Sequence, residues 1–148
     1  MPVVEVEERI AAPIETVWNL INDVESHPRL MEHVRSVEVR ETGPGYRVAA
    51  WEADLKGCRM SWVEREEIDA EKRRIDYHLV EGDLAQMEGF WQVDPLPDGA
   101  VKVVLSVAFD IGMPMLSDML NPVAERAIRE NSRAMLASLA SHAGAAVA

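Results

Sequence analysis

Two glutamates, Glu64 and Glu66, are the residues of this sequence best placed to do acid–base chemistry. They lie in residues 58–68, where apolar residues alternate with the period of two that is expected for a β-strand. Trp62 shares their parity, which predicts that both carboxyls point toward the interior. Two buried carboxyls repel each other, and burial raises the pKa of at least one, which would provide a proton donor or acceptor. The alternative is that both lie at the wet rim of a cavity or face solvent, because charged residues are rarely buried without partners.

Two further polar side chains are candidates for the same interior. Tyr77 has the parity of the apolar residues in its own strand, so we expect its hydroxyl to enter the cavity unless it only packs in the sheet. Asn131 lies on the apolar face of a predicted helix, where a buried amide needs partners. It would bond either a ligand or a strand backbone. The sequence thus predicts Glu64, Glu66 and Tyr77 as catalytic candidates and Asn131 as a ligand-binding residue.

The helix that carries Asn131 is predicted over residues 113–139, with a kink or restart at Asn121 and Pro122. Its apolar stripe runs through Ala127 and is lined with small and flexible side chains rather than large branched ones. Small side chains leave space and methionines adapt to irregular shapes, so this face predicts one wall of a cavity. The predicted lining residues are Trp51, Met60, Trp62, Leu79, Met87, Trp91, Met119, Val123, Ala127, Asn131 and Met135. Core packing is the alternative for the tryptophans and for the methionines of the strands.

Short strands account for most of the chain before this helix. Strands are predicted over residues 3–11, 34–41, 46–55, 58–68, 74–80, 86–93 and 101–111, with helical segments from 13 and over 29–32. The links between successive strands are too short for parallel crossovers, so the strands should pair antiparallel. The predicted fold class is α+β: a curved antiparallel sheet of about six or seven strands wrapped around a long C-terminal helix, with a short helical pair after strand 1 and an internal cavity. Residues 1–142 should form one domain, followed by a flexible tail over 143–148.

Composition excludes several classes of function. The chain has 148 residues and a net charge of −11, with 26 acidic against 15 basic residues. This balance disfavours nucleic acids and anionic membrane surfaces, whose phosphates attract positive charge. No apolar run approaches the roughly 18 residues that span a bilayer. The N-terminus lacks the basic and apolar regions of a secretory signal, so we expect no integral membrane segment and a cytoplasmic location.

The sequence indicates neither a metal nor another cofactor. The four histidines, His27, His33, His78 and His142, lack metal-ligand spacing. No glycine-rich phosphate loop or nucleophile motif is visible. Cys58, the single cysteine, has inward parity and is expected to be a small buried hydrophobe rather than a nucleophile. The sequence leaves open whether the protein forms a homodimer.

Three blocks of sequence, which together cover nearly the whole chain, carry a family resemblance. They are IAAPIETVW over 10–18 with DVE over 23–25 and Pro28; EG over 81–82 with MEGFW over 87–91 and PDG over 97–99; and the terminal helix with Glu130 and Asn131. In these blocks the chain resembles the START-like (SRPBCC) superfamily, in particular its polyketide cyclase/dehydrase and coenzyme Q-binding branch. The resemblance implies a helix-grip fold with a deep cavity between sheet and helix, a fold that serves both enzymes and passive carriers. In the aromatase/cyclases, arginines on two strands line the pocket, and the corresponding residues here are Glu66 and Leu79.

Two functions from different classes follow. The first is the binding of a hydrophobic small molecule, such as an aromatic compound, quinone, lipid or polyketide, in the cavity without catalysis. The second is a polyketide aromatase/cyclase or dehydratase, which would combine the cavity's shape with acid–base help from Glu64, Glu66 or Tyr77. The missing arginines favour the first. A third function is that of an interaction module, which would contact ribosomes or another protein. The negative charge of the chain disfavours direct contact with RNA.

Overall fold

A seven-stranded sheet and a long C-terminal helix dominate the structure. The computed structural model describes residues 1–55, 57–113 and 117–147. The strands are β1 (Val3–Ile10), β2 (Val34–Gly43), β3 (Tyr46–Leu55), β4 (Cys58–Asp69), β5 (Arg74–Gly82), β6 (Gln86–Pro95) and β7 (Val101–Asp110). The helices are α1 (Ile14–Asn22), a 3-10 turn (Val24–Ser26), α2 (His27–Leu30) and α3 (Ser117–Val147).

All neighbouring strands of the described sheet pair antiparallel, in the spatial order β1-β7-β6-β5-β4-β3-β2. Successive strands from β2 to β7 are neighbours joined by short turns, and β1 pairs with β7. Every predicted strand boundary lies within two residues of the observed one. The predicted α+β fold, with a curved sheet and a long C-terminal helix, is therefore confirmed.

Helix α3 packs on β1, β7 and β3 of the sheet and on α1 and α2. Its buried residues are Ala127, Ile128, Ser132, Leu136, Leu139 and Ala143. The buried face is thus centred one residue beyond the predicted stripe, and it contains the branched side chains of Ile128, Leu136 and Leu139. These larger residues pack against the core, while the smaller or more flexible Asn131 and Met135 flank them.

The two ends of α3 differ from the sequence prediction. The helix continues through Pro122 without a restart, and it is helical as far as Val147. Ala143 is fully buried because it extends the stripe of Leu139 by one helical turn. Residues 143–147, predicted as a flexible tail, therefore belong to α3, whereas residues 114–116 and 148 lie outside the described residues. No helix in the described ranges combines the length and the hydropathy needed to cross a membrane.

Candidate functional site

A cavity of about 110 Å³ lies between the inner face of the sheet and α3. This volume is comparable to an apolar cavity of about 150 Å³ that accepts benzene, so it suits a group the size of an aromatic ring. The predicted residues that line it are Trp51, Met60, Trp62, Leu79, Met87, Trp91, Asn131 and Met135, together with Glu64 and Tyr77. Two exposed lining residues, Ser61 and Asp83, mark its opening to solvent.

Three other predicted lining residues of α3 lie away from this cavity. Met119 and Val123 are 72% and 66% exposed, and Ala127 is buried but does not contribute to the cavity wall. The cause is the rotation of the buried face, which brings Ile128 and Ser132 to the cavity instead. One residue corresponds to about 100° around a helix, so a shift of one position moves a whole stripe.

Glu64 is the buried acid of the cavity wall. Its side chain is in an apolar environment, and the indole N–H of Trp62 donates a hydrogen bond of 2.7 Å to its Oε1 atom. Burial raises the pKa of Glu64 well above the usual glutamate value, and the charge of Glu66 and a hydrogen bond between the two carboxyls raise it further. The opposing effects of Trp62 and Arg47 on this pKa are smaller. Glu64 therefore keeps its proton where a surface glutamate would be ionised.

Glu66 is buried as well, but it lies outside the cavity wall. The guanidinium of Arg47 donates from Nε to Glu66 Oε1, and the indole of Trp51 donates to Oε2 at 3.4 Å. Glu64 and Glu66 are only 5% and 1% exposed, so the alternative of a wet rim is excluded for both. Their inward direction follows the strand parity, whereas the ion pair of Glu66 was not expected.

Arg47 is a buried cation beside the site that the sequence-based prediction missed. It lies directly opposite Glu66 in the β3–β4 register, and its Nη1 atom donates to Asn22 at the end of α1, to the backbone O at 2.7 Å and to Oδ1 at 3.0 Å. Its parity within β3 matches that of Trp51, which the prediction placed inward. Parity together with hairpin pairing was therefore a usable signal.

Tyr77 lines the cavity, but its hydroxyl proton is already used in a hydrogen bond within the protein. Its hydroxyl donates a hydrogen bond of 2.6 Å to the backbone carbonyl of Ser106. Burial, followed by the charges of Glu64 and Glu66, raises the pKa of Tyr77 well above its usual value. Gly89 provides the space for this contact, because a Cβ atom there would lie 1.9 Å from Ser106 O and 2.6 Å from the Tyr77 hydroxyl.

Asn131 presents an unused acceptor in the cavity wall. Its Oδ1 atom is buried and has no hydrogen-bond partner among the described residues, while Nδ2 has a weak contact, at 3.8 Å from Met135 Sδ. Buried amide oxygens are nearly always paired, so this atom calls for a donor from outside the chain or from water.

His27, another residue that the prediction did not select, is fully buried behind the cavity. Its Nε2 atom must carry a proton, since it donates to two carbonyls, Leu20 O at 3.1 Å and Ile21 O at 3.0 Å. The ring meets Trp51 edge-on at 5.6 Å. Burial lowers the pKa of His27, which favours the neutral ring. Its role is to support the indole that forms part of the cavity wall.

Cys58 differs from its prediction. It is exposed rather than buried, because it begins β4 at the β3–β4 hairpin, beyond the part of the strand that lines the cavity. In the portion of the chain that the structure describes, His, Cys, Asp and Glu side chains form no group of three that could hold a metal ion.

The raised pKa of Glu64 predicts that the protein loses stability as the pH rises. The unfolded chain releases this proton near 4.5, whereas the folded chain releases it at a higher pH. Between these values the folded state binds more protons, so the free energy of unfolding falls as the pH rises through that window. We expect the unfolding free energy of Glu64→Gln, relative to wild type, to increase with pH from 4.5 upward.

Urea unfolding followed by tryptophan fluorescence at a series of pH values would measure this difference. Glu88→Gln, on an exposed position of β6, is the matched control, because it removes a carboxyl of the sheet that lies in solvent. A pH-independent offset for Glu64→Gln would contradict the raised pKa.

The sheet wrapped around α3, with a cavity between them, defines the helix-grip class of proteins. The family model for polyketide cyclases/dehydrases and lipid-transport proteins matches residues 10–136. The chain therefore belongs to the polyketide cyclase/dehydrase and lipid-transport family.

Several known proteins are similar to this chain. A putative polyketide cyclase of Streptomyces cyaneus is 35% identical over 98 residues, which are 64% of either protein. The granaticin polyketide synthase bifunctional cyclase/dehydratase of Streptomyces virginiae is 33% identical over 97% of this chain and 48% of its own length. The chain thus spans about half to two thirds of these two relatives. The crystal structure of the Zhui aromatase/cyclase of Streptomyces sp. R1128 superimposes with a TM-score of 0.90 at 25% identity, over 99% of this chain and 96% of that one.

Proposed function

We propose that the cavity binds a hydrophobic, oxygen-bearing small molecule of the polyketide type. The observation that carries this proposal is a buried carboxyl with a raised pKa, Glu64, in a wall otherwise built largely from tryptophan, leucine, valine and methionine. Apolar walls supply affinity through burial of ligand surface, and a few polar groups fix the ligand's orientation. The family to which the chain belongs supports the same class of ligand.

The polar groups of the wall favour a particular pattern on the ligand. Protonated Glu64 offers a donor, which suits a ketone or quinone oxygen, while Asn131 Oδ1 offers an acceptor, which suits a hydroxyl. Enolised polyketones and hydroxylated aromatic ketones carry both groups. A pure hydrocarbon would leave the Asn131 Oδ1 atom unpaired, at a cost of about 1–3 kcal/mol.

We further propose that Glu64 is the general acid in ring closure of such a chain, followed by loss of water. In the closure, an enol carbon attacks a ketone carbon within the same molecule, and the ketone oxygen takes the proton of Glu64 to become a hydroxyl. The enol hydroxyl then gives its proton back to the carboxylate, so the step needs no co-reactant. In the loss of water, the new hydroxyl leaves with the proton of Glu64, and the neighbouring carbon gives its proton to the resulting carboxylate as the C=C bond forms. Confinement of the chain supplies much of the rate, because the reaction is intramolecular. The names of the similar cyclases and cyclase/dehydratases support this reaction class.

Carriage of a quinone or lipid without reaction is the second candidate. It is supported by the state of the other two predicted catalytic residues: Glu66 is paired with Arg47, and the Tyr77 proton is donated to Ser106. Of the three predicted catalytic residues, Glu64 alone then offers a proton to the ligand, which is enough for binding. Turnover of a polyketone by the purified protein separates the two candidates.

A pair of small ketones tests the proposed polar pattern. Hydroxytetralone, a two-ring ketone with a phenolic hydroxyl, should bind about 5–10-fold more tightly than tetralone, because one hydrogen bond contributes about 1 kcal/mol. Asn131→Leu should remove this preference while leaving tetralone binding nearly unchanged. Isothermal titration calorimetry would measure both affinities.

Asn19→Leu, at an exposed position on α1, is the matched control and should keep the preference. Equal binding of the two ketones by the wild-type protein would contradict the role of Asn131. Failure of both ketones to bind would count against the proposed cavity ligand itself.

A further inference from the structure

The two inward carboxyls of β4 can hold zero, one or two protons between them. Glu64 and Glu66 are two residues apart on the same strand face and are nearly inaccessible to solvent. With no proton, two like charges would be buried side by side, which is strongly unfavourable. The pair therefore keeps at least one proton, and the surrounding groups decide which carboxyl holds it.

Arg47 contacts only one member of the pair. Its guanidinium is 10% exposed and is fixed by Asn22, so it needs a counter-charge, which Glu66 provides. Both Glu66 oxygens accept bonds from N–H donors, one from Arg47 and one from Trp51, as an ionised carboxylate does. Glu64 lies in the cavity wall, and no cation of the described residues forms an ion pair with it.

The remaining titratable groups near the pair leave this distribution unchanged. His27, which interacts with Glu66 and Arg47 from α2, is favoured in its neutral form by burial. Tyr77, on the neighbouring strand β5, donates its proton to Ser106. The ion pair with Arg47, which Glu66 forms and Glu64 does not, is thus the difference between the two carboxyls.

We infer that Arg47 is a positioning residue that confines the single proton of the Glu64–Glu66 pair to Glu64, the member that faces the cavity. The importance of this arrangement for function rests on the proposed role of Glu64 as the acid of the cavity. The guanidinium fixes Glu66 as the carboxylate, which leaves the proton of the pair on Glu64. Glu64 is therefore the protonated carboxyl, and Glu66 the ionised one, before any ligand enters.

Infrared spectroscopy of the ligand-free protein at neutral pH tests this inference, because protonated and ionised carboxyls absorb at different frequencies. We expect one protonated-carboxyl band in the wild type, absent in Glu64→Gln and present in Glu66→Gln. Arg47→Met should show a second band, since Glu66 then takes up a proton. Arg47→Lys, which keeps the positive charge, should show one band.

Arg65→Met is the matched control, because Arg65 lies on the outer face of the same strand and pairs with exposed Glu67. It should leave the single band unchanged. The inference is overturned if the wild-type band is lost in Glu66→Gln instead of Glu64→Gln, or if folded Arg47→Met keeps a single band. If Arg47→Met does not fold, the two glutamine variants and Arg47→Lys decide. All bands are recorded without ligand, so an absence of ligand binding or turnover would count against the proposed function alone.

Discussion

Glu64→Gln should lower the rate of polyketone ring closure or dehydration by roughly 10²–10⁴-fold, the usual contribution of a positioned general acid. The amide has nearly the same shape as the protonated carboxyl, and its oxygen can still accept the 2.7 Å bond from the Trp62 indole. The fold should therefore persist, while the proton donor is lost. The measurement is kcat/KM for a synthetic polyketone, with products separated by chromatography and folding checked by circular dichroism.

Glu67→Gln is the matched control for this experiment. Glu67 lies on the same strand but is exposed, and its partner is the surface residue Arg65. This variant should turn over the polyketone at the wild-type rate. If Glu64→Gln is equally active, Glu64 is not the acid, whereas a wild-type protein that binds the polyketone but never converts it indicates a carrier. Binding of tetralone should change little in either variant, because the apolar wall is unaltered and a glutamine amide N–H can still donate a hydrogen bond to the ketone.

The fold and the direction of the acids could be predicted because both depend on local sequence patterns. Strand parity assigned Glu64 and Glu66 to the inward face, since side chains alternate strictly between the two faces of a strand, but it left open whether they lay at a wet rim. Turn residues set the strand ends, which is why the observed bounds of the sheet lie so close to the predicted ones. Neither feature requires knowledge of distant contacts.

The residues that were missed depend on contacts between separate segments. Arg47 was not selected because charged residues are rarely buried without partners, and its burial became predictable only with the β3–β4 register that sets it opposite Glu66. His27 is buried by tryptophans that lie far along the sequence, Trp51 and Trp91. The buried face of α3 was predicted one residue away from its observed position for a different reason. Alanines and methionines occur on several sides of the helix, so its apolar stripe could not be located to within one residue.

Arg47→Met should destabilise the protein by about 3–5 kcal/mol, the cost of removing one partner from a buried ion pair. Glu66 would then be either a buried uncompensated charge or a carboxyl that must take up a proton on folding. For a chain of this size, the loss corresponds to a decrease in Tm of roughly 10 °C. Thermal unfolding followed by circular dichroism at neutral pH measures it. Arg65→Met removes an exposed guanidinium from the same sheet and should leave Tm nearly unchanged.

The double variant Arg47→Met/Glu66→Leu shows whether the cost comes from the lone carboxylate or from lost packing. Removing both charges leaves no buried charge without a partner, and apolar replacement of a buried pair is often neutral or stabilising. The double variant should therefore recover most of the Tm that Arg47→Met loses. If it is as unstable as the single variant, the guanidinium stabilises the fold by its packing and by its bonds to Asn22 rather than by its charge. Recovery of Tm would show that the ion pair is not required for folding.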